Sequence, residues 1–181
     1  MPINHNQVLN ERILAIDPGT REMGVAFLED RNLLDYGVKS LRGVRGAREL
    51  LLKLGEITER LISEKKPDVI VLEKNQFSQI QANIRLTLAV SKIKGTARAK
   101  RIRLVEYAPR TIRKAVCNDA LATKDELARQ IAASYPELSI FLEADRKWKV
   151  RYWQNIFDSL GVGLCYLRQK QFLNSKPDAF Q

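Results

Sequence analysis

The chain has 181 residues, enough for one domain with a sizeable core, and its 45% hydrophobic and 29% charged content excludes a disordered polymer. Lys and Arg outnumber Asp and Glu by 31 to 21, a formal charge of +10, so a polyanion is the expected partner, nucleic acid ahead of an acidic membrane. No apolar stretch reaches the ~20 residues of a membrane span, the polar start lacks a signal-peptide core, and Cys117 and Cys165 show no C-x-x-C spacing, so a cytoplasmic, reduced protein without zinc or disulfides is expected.

The only histidine is His5. It falls in residues 1–11, which read as an unstructured lead-in. Histidine-based triads, H-E-x-x-H zinc sites and histidine general bases therefore drop out, and acid, base or metal chemistry must rest on carboxylates, lysines or tyrosines.

Ile13-Leu14-Ala15-Ile16-Asp17 is an apolar run ending on a carboxylate; it breaks at Pro18-Gly19 and resumes at Gly24-Val25-Ala26-Phe27-Leu28. The pattern predicts a hairpin of strands at about 12–17 and 22–29, with a third strand over Asn32 to Val38. A carboxylate at a buried strand end is costly unless hydrogen bonds, protonation or a cation compensate it. Taken alone, Asp17 is better read as an Asp capping its own turn. A second carboxylate placed the same way would favour a metal.

Ala47 to Lys66 carries apolar residues at spacings of three and four (Leu50, Leu54, Ile57, Leu61; Leu51, Thr58, Ile62), an amphipathic helix closed by Pro67. Asp68-Val69-Ile70-Val71-Leu72-Glu73 is then a nearly continuous apolar run, the mark of a central parallel strand covered on both faces. It too ends in a carboxylate. Adjacent and parallel, the two strands would bring Asp17 and Glu73 together at the sheet edge where open α/β sheets hold ligands. Unbridged, the pair would raise each other's pKa; a divalent cation would keep both ionised.

A helix is expected from about Ser78 to Arg101, with Leu86, Val90, Ile93 and Ala97 inward. Lys94, Arg98 and Arg101 lie on one flank, Arg85 and Lys92 on the other. No acid occurs from Gln76 to Val105, which favours a phosphate-contacting surface over a merely solvated face. Arg103 to Tyr107 reads as a strand and Pro109 to Val116 as a short helix. Thr123 and Glu126 form a capping box that starts a helix to about Ser134. Pro136 to Asp145 reads as irregular.

Trp153, Ile156, Phe157, Leu160, Leu164 and Leu167 make a stripe that predicts a helix from about Arg146 to Lys170, leaving 171–181 as a tail and 12–170 as one domain. Gly161 and Gly163 cost about 1 kcal/mol each against alanine in a helix, and close packing on the sheet is the expected reason. Asn155 and Asp158 are three apart and share a face; reaching into the carboxylate site is favoured over facing solvent.

This order of elements resembles the ribonuclease H-like fold, an α/β architecture with a central mixed five-stranded sheet flanked by helices. More narrowly, it is similar to the RuvC family of Holliday-junction resolvases. Ile16-Asp17-Pro18-Gly19-Thr20 with Gly24 resembles that family's first motif and Val71-Leu72-Glu73 its second. Val105 to Arg110, Arg113-Lys114 and Thr123-Lys124 resemble its middle section, and Asn155-Ile-Phe-Asp158 its closing motif.

The resemblance implies metal-dependent cleavage of phosphodiesters in four-way DNA junctions, during recombination and repair, by a homodimer. It implies that Asp17 bridges two Mg²⁺ ions (Mn²⁺ substituting), with Glu73 and Asp158 completing one shell each. Lys124 would lie near the scissile phosphate, and Arg113 would contact phosphate. Lys74, Arg85, Lys92, Lys94 and Arg98 join these as DNA-binding candidates. Phe77, one residue further from the glutamate than the family's stacking aromatic, reads equally as a base wedge or a core residue.

Asn155 stands in the catalytic constellation where the family usually has a fourth carboxylate. Either three acids suffice or activity is weakened; Glu143 and Asp145 are weaker substitutes. The alternatives to a resolvase are an RNA-processing nuclease similar to the YqgF branch and a junction-binding protein with little catalysis.

Overall fold

The computed structural model describes residues 10–74, 84–143 and 147–174. His5, Phe77, Asp145 and the expected helical start at 78–83 lie outside them. Five strands form one mixed sheet in the order β3-β2-β1-β4-β5, as the resemblance implied. The strands are β1 Arg12–Asp17, β2 Glu22–Glu29, β3 Asn32–Ser40, β4 Val69–Glu73 and β5 Arg103–Tyr107. β1, β2 and β3 are an antiparallel meander; β4 is parallel to β1 and β5 parallel to β4.

Helices cover both faces because the central strands are apolar on both. Leu14, Ile16, Ile70 and Leu72 join a core with α1 (Ala47–Lys65) and α2 (Ile84–Ala99). Ile13, Ala15, Val69 and Val71 join the other core, with α3 (Pro109–Cys117), α4 (Lys124–Ser134) and α5 (Lys147–Asn174). Strand side chains alternate between faces. The residues that follow Ile16 and Leu72, Asp17 and Glu73, therefore share the face covered by α5.

α5 is anchored by Ile156, Phe157 and Leu160, all buried, and each such side chain contributes roughly 1.5–3 kcal/mol. Its two inner glycines have separate reasons. A Cβ on Gly163 would lie 2.8 Å from Leu28 Cδ1 and 3.2 Å from Ala15 Cβ, so that glycine does let α5 lie on the sheet. At Gly161 the neighbours are instead Ile112 and Leu127, from α3 and α4.

Three boundaries differ from expectation. Glu11, assigned to the lead-in, accepts hydrogen bonds from Arg103, Tyr166 and Lys170 (2.7 Å for the last). Burial and the Glu11 bond push the Tyr166 hydroxyl up to about 12. The last helix runs to Asn174 rather than Lys170, and Pro136–Phe141 is a 3-10 helix inside the stretch read as irregular. Cys117 and Cys165 are free thiols. No helix among the described residues is long and apolar enough to cross a membrane.

Candidate active site

The parallel register fixes the first part of the site. Ile16 stands opposite Leu72, so Asp17 and Glu73 leave the sheet side by side at the carboxyl ends of neighbouring strands. On β1's other side Asp17 is opposite Gly24. A Cβ there would lie 1.9 Å from the Asn155 carbonyl oxygen. Only a glycine lets the backbone of α5 reach the sheet at the level of Asp17, and that approach brings Asp158 over the strand ends.

Asp158 is buried in spite of its charge, so it needs partners. Its Oδ2 accepts from the Lys124 ammonium and its Oδ1 from Gln154 Nε2 at 3.0 Å. Lys124 opens α4, where the expected capping box is present: the Thr123 hydroxyl accepts from the Glu126 amide, and the Glu126 carboxylate accepts from the Thr123 amide at 2.6 Å. Glu73, Arg113, Lys124 and Asp158 line one cavity of about 140 Å³ with Pro109, Ile112 and Leu127.

The three acids act on one another electrostatically. Burial pushes the Asp17 carboxyl well above its ordinary range, the charges of Asp158 and Glu73 push further, and Lys124 opposes. Burial likewise raises Glu73, with Asp158 adding and Lys124 and Arg113 opposing. For Lys124 burial acts downwards, but Asp158, Asp17 and Glu73 together outweigh it and hold the ammonium protonated.

Among the described residues no three acidic, histidine or cysteine side chains are gathered closely enough to grip an ion; the Lys124 ammonium takes the place beside Asp158. The donors nevertheless fit a hard divalent cation. They are carboxylate oxygens, two of them are held in a poorly compensated state, and Mg²⁺ keeps several waters and so needs few protein ligands.

Asn155 reaches toward β2 as well as toward its own helix: its Nδ2 donates to Glu22 Oε2 at 3.3 Å and to the Tyr152 carbonyl at 3.1 Å. Arg42 donates to the other oxygen of Glu22. Asn155, Glu22 and Arg42 line a second cavity, about 730 Å³, with Arg21 and Arg85.

The basic candidates divide. Lys74, Arg85 and Arg98 are exposed. Lys92 lies against α1, its Cε 2.4 Å from where a Gly55 Cβ would stand. Lys94 pairs with Glu106 of β5 at 2.7 Å, so the acid-free run in sequence faces an acid in space. Glu143 is exposed. Sequence reading missed Gln154, Glu22, Arg21 and Arg42; only Gln154, one helical turn before Asp158, carried a spacing signal.

The family profile described as "Crossover junction endodeoxyribonuclease RuvC" matches residues 13–134. A protein of that name from Cytophaga hutchinsonii is 28% identical over 172 residues, covering 92% of this chain and 81% of its own. The structure of Thermus thermophilus RuvC superposes with a TM-score of 0.73 at 18% identity, over 92% of this chain and 99% of that one. The same Thermus protein in complex with a Holliday junction substrate gives 0.72 over the same shares. These two show the shared fold. With the profile spanning well over half the sequence, the chain belongs to the RuvC family of crossover junction endodeoxyribonucleases.

Proposed function

We propose that this protein is a metal-dependent, structure-selective endonuclease that hydrolyses phosphodiesters in four-way DNA junctions during recombination and repair. The observation that carries this reading is geometric: Asp17 and Glu73 stand side by side at the carboxyl ends of neighbouring strands, and Glu73 shares one cavity with Asp158 and its Lys124 partner. Family membership supports the reaction class. The Thermus relative's complex with a Holliday junction supports branched DNA as substrate. The formal charge of +10 supports a polyanionic partner.

Asp17, Glu73 and Asp158 would hold two Mg²⁺ ions (Mn²⁺ substituting). When bound, the ions activate the attacking water and stabilise the leaving 3′ oxygen. Lys124 would stabilise the developing charge on the phosphate, and Arg113, on the wall of the same cavity, would contact a phosphate oxygen. Lys74, Arg85 and Arg98 offer exposed charge for the flanking backbone. A roughly two-fold junction cut symmetrically calls for a homodimer acting in the cytoplasm.

The test is cleavage of a synthetic four-way junction in Mg²⁺ by the wild type and by Asp17→Asn. Equal cleavage by the two would remove Asp17 from the mechanism. The amide at position 155, where the family usually has a carboxylate, favours a second reading, a junction-binding protein without catalysis. Binding retained in EDTA, with no nicking at any Mg²⁺ or Mn²⁺ concentration, would establish it instead.

A further inference from the structure

We infer that Gln154 is a positioning residue for Asp158, fixing the plane of its carboxylate while Lys124 is engaged elsewhere. The inference rests on the nuclease reading in treating Asp158 as cation-facing. The two oxygens of Asp158 have partners of opposite character. Oδ2 is held by Lys124, a charged side chain that is 57% exposed, on a different helix. Oδ1 is held by Gln154 at 3.0 Å, from the preceding turn of the same helix.

An incoming divalent cation repels the lysine ammonium and competes with it for Asp158. It does not repel a neutral amide. A carboxylate oxygen accepts hydrogen bonds, so the amide turns Nε2 toward Asp158 and its own oxygen away. Gln154 also lines a cavity of about 180 Å³ between α4 and the 3-10 segment, beside Asp125, Phe141 and Phe157. It is therefore the partner of Asp158 that persists when the ammonium departs. A carboxylate losing both partners would rotate and present the wrong lone pairs.

A surface pair with no such role would change stability slightly and nothing else. The decisive measurement is Mn²⁺ binding by calorimetry on the full chain, beside single-turnover junction cleavage at saturating Mn²⁺ and a melting curve. Gln154→Met keeps the length and removes the donor; Gln154→His restores a donor at similar reach. The expected result is about tenfold weaker Mn²⁺ binding and about tenfold slower cleavage for Gln154→Met, a modestly lowered melting temperature, and recovery of binding and cleavage in Gln154→His. Wild-type Mn²⁺ affinity in Gln154→Met would overturn the inference alone. If the wild type binds no Mn²⁺, or Asp17→Asn binds it as well, the nuclease reading falls and this inference with it.

Discussion

Substituting Gly24 by alanine tests how α5 is set over the sheet. The added carbon would stand 1.9 Å from the Asn155 carbonyl oxygen, 2.6 Å from its carbon and 3.1 Å from Asn155 Cβ. The first two neighbours are backbone, so no rotamer change relieves the clash. An ordinary carbon–oxygen approach of about 3.3 Å requires the helix to retreat by about 1.4 Å, or the strand to buckle by as much. Overpacking of this kind costs about 1–3 kcal/mol. Because Asp158 follows Asn155 by less than one turn, it would move away from Asp17 and Glu73. A misplacement of about 1 Å in a reacting constellation can cost about a hundredfold in rate. Urea unfolding and single-turnover cleavage of a four-way junction in Mg²⁺ measure the two effects. Gly37→Ala, on β3, is the control: nothing lies within 4 Å of the Cβ it would add, so stability and rate should hold. A Gly24→Ala protein that cleaves at the wild-type rate would refute the claim that this glycine sets the site.

Asp17 and Glu73 have raised carboxyl pKa values in the fold, so the folded state binds their protons more tightly than the unfolded one. Metal-free stability should therefore fall as pH rises from the ordinary carboxylate range through the raised values, and stabilisation by added Mg²⁺ should grow over the same window; thermal melts with and without Mg²⁺ at a series of pH values read both. Asp17→Asn should melt higher than the wild type in EDTA at pH 7 and gain nothing from Mg²⁺. Lys124→Met should cleave about 10²–10³-fold more slowly while still binding Mn²⁺, because its ammonium competes for Asp158 rather than helping to hold the ion. Asn155→Asp sets a carboxylate against Glu22 and should destabilise the metal-free protein, whereas adding Glu22→Gln should restore it; a double-mutant coupling energy below about 0.5 kcal/mol would discount the contact. Thr123→Ala removes the cap of α4 and should cost about 1 kcal/mol in urea unfolding.

The sheet was legible because each central strand carries its own signature. Ile13 to Ile16 and Val69 to Leu72 are apolar on consecutive residues, which only a strand covered on both faces explains, and both runs stop on an acid. The parallel pairing of β1 with β4 follows from the helix between them. Asp158 was legible as a charge set beside an apolar stripe. What stayed hidden involved partners distant in sequence. The acid that neutralises Lys94 is Glu106, on the next strand. Glu22 and Asn155 are 133 residues apart, and nothing local in either announces the other. The lead-in boundary failed for the same reason: Glu11 looks like the end of a polar tail until Arg103, Tyr166 and Lys170 are brought round it.

The charge count at the site shows why these positions belong together. Three carboxylates face one bonded ammonium, and the Arg113 guanidinium acts on Glu73. Burial makes the imbalance costly: it is the chief cause that raises the Asp17 carboxyl, the charges of Asp158 and Glu73 add to it, and Lys124 opposes. An arrangement selected for stability alone would replace Asp17 with an apolar residue, as buried ionic groups generally can be with little loss. A divalent cation held there, as proposed above, would relieve that cost at Asp17, which stands opposite Gly24. Under the proposed function, the cost borne by the metal-free state and the chemistry of a cation-loaded state would share one origin, the placing of Asp17, Glu73 and Asp158 at the carboxyl ends of β1 and β4.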